Sequence, residues 1–579
     1  MRWHVIAIVV LVAGWVVPSA VYETTLTRFY SPDGVISTPE IRTLLDWGKP
    51  AFLGALLLSY ILVRGTFWLV RQYPDPRAGE GVPPAGVRPE GAVGVELIVI
   101  SFLSLYLEIL LIRWISSEVY LIGYFKNLIL IAAFLGMGMG FATGRKRRVD
   151  PLFSLVLLAA LVVLIHGWGF LHANQHVRYP GSIDTVLYQM NVASSQINLG
   201  AYVLYYGCIL GYFLLTVGIF LPLGAYTGIR MAYYPPLKAY SLNIAANIAG
   251  ILVFTLLAYL RTPPVLWFAL AFSCFLYLLR RKPAMILAVT VLAVAAGGLL
   301  WHGGRPNVYW SPYNKLTIER MEQVDERRGL EGYSICVGGL TYQTPIDLGR
   351  LFRESDYAST RYLTHYRLPY FFKQPADVLV VGAGSGNDVA SALLSPSVRR
   401  VDAVEIDPVI ASTGRNLHPN RPYLDPRIRL VIDDARSFLK TVPDRQYDLI
   451  VLGLLDSNVA FSCVSSLRLD NFIYTQECFA DLRRVLRPDG LLSLSFASAV
   501  PWVTQRLSGM LTAAFGHPPV CLVTTYSEFI TAGEESVLAT LRRKMQASPG
   551  EGGPPGGPLV PAPVFTAAAQ LATDDWPFL

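Results

Sequence analysis

A strand, a glycine-rich loop, a helix and a second strand follow one another in residues 376–407, and this succession constrains the fold more than any other stretch. The apolar run 378–381 leads directly into glycines at 382, 384 and 386, where the backbone can approach a ligand that a Cβ would block. A second apolar strand ends in Glu405, about 20 residues further on, and its carboxylate can accept hydrogen bonds from both hydroxyls of a ribose. The spacing predicts a nucleoside-binding βαβ unit.

Strands and helices continue to alternate after this unit. Apolar runs predict strands near 377–382, 400–405, 428–432, 447–453 and 490–496, with later strands near 519–531. The predicted helices fall near 386–395, 407–416, 435–441, 472–486 and 501–515. This alternation indicates a parallel, doubly wound, Rossmann-like α/β sheet with its ligand at the carboxyl ends of the strands.

Successive strand ends contain the candidate binding residues. We expect Asp434 to accept a hydrogen bond from an adenine amino group, while the backbone of Ala435 meets the edge of the ring. Asp456 follows the fourth strand. The predicted nucleoside-binding set is Gly382, Gly384, Ser385, Gly386, Asp388, Glu405, Asp434 and Ala435.

The first half of the chain is unusually apolar. The whole chain is 53% hydrophobic and only 15% charged, whereas soluble proteins have about 25% charged residues. Segments of the length that spans a bilayer predict a multi-pass α-helical membrane domain integral to the cytoplasmic membrane. They lie near 4–21, 51–70, 94–116, 123–143, 151–171, 199–227, 240–260, 264–280 and 283–301.

These patterns divide the chain into five parts. Residues 1–93 hold two membrane helices and a linker, and 94–301 form the multi-helix membrane domain. Residues 302–375 alternate apolar and polar residues and predict a small β-rich lead-in, and 376–545 form the Rossmann-like domain. Residues 546–579 contain a Pro- and Gly-rich, disordered linker and a C-terminal apolar motif.

Basic residues cluster at the ends of apolar segments, a pattern typical of membrane orientation rather than of nucleic-acid binding. The run Arg145–Arg148 should be cytoplasmic, and Arg230 and Arg280 fall on the same side if every segment crosses. The last segment would then place the soluble domain outside, although adenosyl cofactors are made in the cytosol. The side of this domain is left open.

Few residues in the apolar segments are candidates for a catalytic, transport or metal-binding role. Glu108 lies in the middle of a segment, where an ionisable group is paired within the bundle or belongs to a proton or amine path. Gly136, Gly138 and Gly140 indicate close helix packing. Six cysteines without a C-x-x-C spacing indicate neither a metal site nor a disulfide framework.

Several motifs together resemble one family: Leu107–Arg113, Ser311–Lys315, Val381–Asp388, Val404–Pro408, Asp433–Arg436, Tyr447–Ile450 and Asp574–Phe578. The soluble half resembles the spermidine synthase branch of the S-adenosylmethionine-dependent transferases, which implies a sheet of the class I methyltransferase type. Residues 94–579 are similar to membrane-fused spermidine synthase-like proteins. The resemblance implies S-adenosylmethionine or its decarboxylated form as cofactor, Gln343 and Asn314 on the acceptor side, and Asp456 as the remaining catalytic candidate.

The chain departs from the aminopropyltransferases at acidic positions. Ser385 stands where the resemblance implies an acid in the glycine loop, and Gly453 stands where it implies the catalytic Asp. Because a polyamine cation needs carboxylates both for binding and for deprotonation, ordinary putrescine aminopropylation is not expected.

Three functions remain open from the sequence. The first is a membrane-anchored transferase that acts on an amine or a membrane-associated acceptor. The second is a degenerate transferase domain that serves as a structural or interaction subunit, with other membrane-protein subunits as partners. The third is a transporter with a nucleoside-sensing domain, which depends on Glu108.

Overall fold

The computed structural model describes residues 91–123, 125–143, 150–166, 199–280, 283–303, 307–321, 332–337, 340–354, 364–455, 469–496, 501–523, 527–546 and 571–577. The described residues up to Lys315 form one unit, and those from Leu316 onward form a second. The predicted helices at 4–21 and 51–70 and the linker of 546–566 lie outside this part of the chain, apart from Gln546.

The first unit is helical and ends in a short strand, β1 (Val308–Trp310). The segment predicted at 123–143 is a helix from Lys126 onward, and a turn at Phe125 separates it from a short helix that ends at Gly123. The helices are α1 (Gly91–Glu118), α2 (Tyr120–Gly123), α3 (Lys126–Thr143), α4 (Leu152–His166), α5 (Leu199–Met231), α6 (Pro236–Tyr259), α7 (Pro264–Leu279) and α8 (Pro283–Gly303).

Three of these helices have the length and apolar composition needed to cross a membrane. They are Val93–Glu118, Tyr206–Met231 and Pro236–Tyr259, of 26, 26 and 24 residues. At 1.5 Å per residue each is longer than the roughly 30 Å of a bilayer's hydrocarbon core. Four further apolar helices are shorter: Lys126–Ala142, Leu152–His166, Pro264–Leu279 and Thr290–Trp301.

Glycines allow α3 and α5 to pack closely. A Cβ on Gly136 would lie 2.5 Å from the Val217 carbonyl oxygen, and one on Gly140 would lie 2.2 Å from that of Leu221. Gly138 has no neighbour within 4 Å at the same position. The packing predicted from this glycine stripe is therefore found at two of its three members.

Charged groups mark the two ends of α1. Near its start, Glu96 pairs with Arg230 at 3.0 Å and with Arg280 at 3.2 Å. At its last residue, Glu118 pairs with Lys315 at 2.6 Å. These carboxylates are 22 residues apart, about 33 Å along a helix. The chain therefore leaves the helical unit at the end opposite Arg230 and Arg280.

The second unit begins with an antiparallel set of strands, as expected for the lead-in. Strand β2 (Lys315–Met321) pairs with β3 (Gly332–Val337), which pairs with β4 (Leu340–Gln343). Two short helices follow, α9 (Leu348–Glu354) and α10 (Thr364–Phe372).

A seven-stranded sheet forms the rest of this unit, in the order β10-β11-β9-β8-β5-β6-β7. Its strands are β5 (Asp377–Val381), β6 (Arg400–Glu405), β7 (Ile428–Ile432), β8 (Tyr447–Leu452), β9 (Leu486–Phe496), β10 (Val520–Val523) and β11 (Ser527–Ala532). Its helices are α11 (Asn387–Leu393), α12 (Pro408–Leu417), α13 (Ala435–Thr441), α14 (Gln476–Val485), α15 (Pro501–Phe515) and α16 (Glu535–Gln546).

The sheet is mixed rather than wholly parallel. Strands β5 to β9 pair in parallel, as predicted, but β11 runs antiparallel to both β9 and β10. Only three residues connect β10 to β11, and so short a connection can join only antiparallel neighbours. The strand order reverses between β5 and β8, so ligands are expected at this carboxyl-terminal edge.

Candidate functional site

The parallel register brings four predicted strand ends to one edge. Val381 pairs with Val404 on one side and with Leu452 on the other, and Glu405 pairs with Ile432. The residues that follow these positions therefore emerge together. The glycine loop, Glu405, Asp434 and Gly453 all belong to this edge.

The loop after β5 depends on glycine for its conformation. Gly382, Gly384 and Gly386 have φ angles of 66°, 57° and 106°, which side chains rarely adopt. A Cβ on Gly384 would also lie 2.6 Å from Gln343 Nε2. The loop therefore exposes backbone where any other residue would be strained and crowded.

Glu405 ties this loop to the end of β6. Its Oε2 accepts a hydrogen bond from Gly384 N at 2.8 Å, and its Oε1 accepts one from Asp407 N, also at 2.8 Å. Burial raises the pKa of Glu405 to about 7, against the lowering effect of these backbone hydrogen bonds. Since two carboxylate oxygens offer about four acceptor positions, the group retains capacity for ribose hydroxyls. This carboxylate therefore fits the ribose of a nucleoside.

Gln343 lies against the glycine loop. Its Oε1 accepts a hydrogen bond from Ser385 N at 2.7 Å, a contact not foreseen for a residue placed on the acceptor side. Asn314, the other acceptor-side candidate, belongs to the helical unit. There it forms a tight turn, with Ser311 N donating to Asn314 O at 2.9 Å and Asn314 N donating to Ser311 Oγ at 2.8 Å.

Asp434 is the N-cap of α13. Its side chain accepts a hydrogen bond from Ser437 N at 3.0 Å, and Ala435 begins the helix. Capping alone accounts for an Asp at this position. The adenine contact proposed for Asp434 and Ala435 stays a prediction. Asp456, the candidate for orienting the acceptor, lies outside the described residues.

Asp388 lies beside Gly453, a proximity that sequence analysis missed. A Cβ on Gly453 would lie 2.3 Å from Asp388 Oδ2, so the carboxyl of α11 occupies the space that a side chain at the end of β8 would take. Burial raises the pKa of Asp388 to about 7. The two residues are far apart in sequence, and only the pairing of β5 with β8 brings them together.

Two tyrosines complete the surroundings, and no sequence pattern marked either. Tyr423 Oη donates to the carbonyl oxygens of Ala383 and Gly384, at 3.1 and 2.8 Å. The Tyr370 hydroxyl is buried without a hydrogen-bond partner among the described residues. Burial, followed by the charge of Asp388, raises the pKa of Tyr370 well above its ordinary value. The unsatisfied Tyr370 hydroxyl therefore lies close enough to Asp388 to feel its charge.

Glu108 lies in the helical unit, in the middle of α1. Its side chain is buried, and the described residues provide neither an ion pair nor a hydrogen bond for it. Pairing within the bundle, the simpler expectation, is not observed there.

Comparison with known proteins agrees with the sheet and its loop. Residues 357–527 match the family model for the spermine/spermidine synthase domain. Polyamine aminopropyltransferase 2 of Streptomyces coelicolor is 36% identical over 124 residues, 21% of each chain. Polyamine aminopropyltransferase of Nitrosomonas europaea is 33% identical over 147 residues, 24% of this chain and 42% of the relative.

A third relative has a different reaction in its name. Putrescine N-methyltransferase 2 of Nicotiana attenuata is 30% identical over 120 residues, 20% of this chain and 30% of the relative. The chain thus matches less than half the length of each of these curated relatives. The C-terminal part is a spermidine synthase-like transferase domain, and the activity of the whole protein is a matter for proposal.

Proposed function

We propose that this chain, in which residues 357–527 form a spermidine synthase-like domain, is a membrane-anchored transferase. It binds S-adenosylmethionine or decarboxylated S-adenosylmethionine and transfers a group to an amine or a membrane-associated acceptor. The observation that best supports this is the glycine loop held by Glu405 at the carboxyl edge of the sheet.

The residues of the edge have separate roles in this proposal. The backbone of Gly382 to Gly386 approaches the donor, Glu405 binds the ribose, and Asp434 with Ala435 meets the adenine. Asp456 orients the acceptor. The bound donor supplies an electrophilic carbon on a sulfonium. Because an amine attacks only when unprotonated, the chain must also accept a proton from the acceptor.

The transferred group is either aminopropyl or methyl. Names of relatives include both aminopropyltransferases and a putrescine N-methyltransferase, so the similarity supports amine acceptors for either reaction. Ser385 and Gly453 replace two acids of the aminopropyltransferase pattern. The acceptor carboxylates must therefore differ from that pattern.

The helical unit is proposed to anchor this domain in the cytoplasmic membrane through several spans. Three helices meet the length and composition required. A membrane-delivered or hydrophobic acceptor would explain why helices and transferase domain share one chain.

A second candidate is a degenerate domain that acts as a structural or interaction subunit of a membrane assembly. The absence of acids at 385 and 453 favours it. Unlike the enzyme, a scaffold needs no affinity for an adenosyl compound.

Calorimetric titration of the purified full-length protein tests the proposal against this alternative. The ligands are S-adenosylmethionine, its decarboxylated form and methylthioadenosine. Glu405→Gln should weaken binding about 10- to 100-fold, the usual effect of losing hydrogen bonds to a charged group. Glu535→Gln, on an exposed residue of α16, should leave affinity unchanged. If the wild-type protein binds none of the three ligands, the enzyme proposal fails and the scaffold remains.

A further inference from the structure

Asp388 is an unsatisfied carboxyl at the ligand edge of the sheet. Its Oδ2 lies 2.3 Å from the position of a Cβ on Gly453, at the end of β8. Its carboxyl is partly buried, and among the described residues it has no salt bridge and no hydrogen bond. It does not cap α11 either, since the N-cap is Gly386 and no side-chain bond caps this helix.

The Tyr370 hydroxyl is a second unsatisfied group at the same place. It is buried, lacks a hydrogen-bond partner among the described residues, and is close enough to Asp388 for the carboxylate charge to act on it. Buried polar groups without partners are rare and require an explanation. The Tyr370 hydroxyl is such a group, and the partly buried Asp388 carboxyl near it has no ion pair or hydrogen bond among the described residues. Their position at the ligand edge of the sheet indicates that a ligand contacts both.

We propose that the Asp388 carboxylate and the Tyr370 hydroxyl form a subsite for a primary ammonium group, a role that rests on the proposed nucleoside site beside it. An ammonium has three donors and a positive charge, which match the two carboxylate oxygens and the tyrosine oxygen. The described His, Cys, Asp and Glu side chains form no cluster of three for a metal ion. This ligand set favours an ammonium over a divalent cation.

Among the described residues, the titratable groups on which the charge of Asp388 acts are the phenols of Tyr370 and Tyr423. Burial, then the charges of Glu405 and Asp388, raises the pKa of Tyr423 well above its ordinary value. Tyr423 donates to loop carbonyls, and the two Glu405 oxygens accept backbone amides. Gly453 contributes no side chain. Asp388 is thus the carboxylate whose charge is left for a cation.

The ammonium has two chemical sources, the donor's own aminopropyl group and the acceptor. Methylthioadenosine provides the nucleoside without an ammonium, decarboxylated S-adenosylmethionine adds the donor amine, and putrescine added to the methylthioadenosine-loaded protein presents an acceptor amine. Calorimetry of the full-length protein with each ligand, in wild type and in Asp388→Asn, distinguishes the donor from the acceptor as the source of the ammonium. Asp444→Asn is the matched control, because the Asp444 side chain is 70% exposed.

In Asp388→Asn we expect unchanged methylthioadenosine affinity and a loss of about tenfold or more for one amine ligand. A loss with decarboxylated S-adenosylmethionine assigns the subsite to the donor, and a loss with putrescine assigns it to the acceptor. Tyr370→Phe should show the same selectivity with a smaller loss, which keeps the test decisive if Asp388→Asn fails to fold.

Proton release gives a readout that a merely structural role would not change. Binding of an ammonium favours the ionised form of the Asp388 carboxyl. Wild-type protein should therefore release more protons when it binds the amine ligand than when it binds methylthioadenosine. The number of protons released is measured from how the binding heat changes with the ionisation enthalpy of the buffer. Asp388→Asn should abolish that difference. If Asp388→Asn and Tyr370→Phe both bind the two amine ligands as tightly as wild type does, the proposed subsite is wrong. The nucleoside site would be unaffected by that result. A wild-type protein that binds no methylthioadenosine overturns both.

Discussion

At the scale of single residues, two carboxyls whose pKa is raised to about 7 differ in their hydrogen-bond partners. Glu405 accepts two backbone amides and fixes the glycine loop. Asp388 has no such partner among the described residues and lies beside a glycine. The first carboxyl therefore maintains the shape of the site, whereas the second is left for a ligand.

Stability should decrease with pH because of these carboxyls. Burial raises the folded-state pKa of both to about 7, above the unfolded values near 4. The folded state then holds extra protons between about pH 4 and 7, so this stabilisation is complete below pH 4 and lost as pH rises through 7. Thermal unfolding of Asp388→Asn should depend less on pH over this window than that of wild type, by roughly 1–4 kcal/mol. If the stability of wild type and of Asp388→Asn changes with pH in the same way, the pKa of Asp388 is not raised.

Gly384→Ala should cost both stability and ligand affinity. Its φ of 57° suits glycine, and the new Cβ would lie 2.6 Å from Gln343 Nε2, so we expect a loss of about 1–2 kcal/mol from the backbone alone. Gly516→Ala is a matched control, because Gly516 has a φ of 82° but no neighbour within 4 Å. Melting temperatures should fall for both variants, whereas methylthioadenosine affinity should fall only for Gly384→Ala. Equal affinities would mean that the loop does not contact the nucleoside.

At the scale of helices and strands, close contacts between neighbouring elements depend on glycines. Helices α3 and α5 meet at Gly136 and Gly140, and α11 meets β8 at Gly453. In each case a Cβ would overlap an atom of the neighbouring element. Small residues thus set how closely these elements approach.

Gly140→Ala should destabilise the helical unit, while Gly138→Ala should not. The Cβ on Gly140 would lie 2.2 Å from Leu221 O, whereas that on Gly138 would meet nothing within 4 Å. We expect Gly140→Ala to cost about 1–3 kcal/mol, as overpacking does, measured as the thermal unfolding of the detergent-solubilised protein. The same melting temperature for both variants would exclude the close contact of α3 with α5.

Restoring an acid at position 453 should not by itself create an aminopropyltransferase. In Gly453→Asp the new Cβ would overlap Asp388 Oδ2, and two carboxylates would compete for one space. We expect the double variant with Asp388→Ala to transfer an aminopropyl group to putrescine better than Gly453→Asp alone, measured by release of methylthioadenosine. If the single variant is the more active, Asp388 does not occupy that space.

At the scale of the whole molecule, the charges at the two ends of α1 bear on membrane topology. Glu96 gathers Arg230 and Arg280 at one end, and Glu118 binds Lys315 at the other. Among the described residues after Lys315, no helix meets the criteria for a span. The chain therefore continues from the end opposite the basic groups.

Reporters inserted in the turn at 232–235 and fused after residue 545 should lie on opposite sides of the membrane. Protease protection or a compartment-specific reporter enzyme measures this. A shared side would contradict α1 as a complete span. The transferase proposal further requires the reporter after 545 to be cytoplasmic, because adenosyl donors are made there, and an external position would favour the scaffold.

Much of the second unit could be predicted from sequence because its determinants are local. The strand 428–432 and the helices 435–441 and 501–515 have the predicted bounds, since apolar runs and caps act over a few residues. The strand ends of Gly382 and Glu405 meet as predicted, because parallel strands align their carboxyl ends. The antiparallel β11 was missed, since an apolar run does not encode its direction.

The sequence by itself determined the apolar helices, the order of strands and helices, and the glycine loop with Glu405, because each depends on periodicity or on a short motif. Only the tertiary structure placed Asp388 against Gly453, Gln343 on the glycine loop, and Tyr370 beside the carboxyl. These contacts join residues far apart in sequence, and they are set by which strands pair and which helices cover them. A pattern along the chain cannot specify such neighbours, since the same local residues fit many pairings.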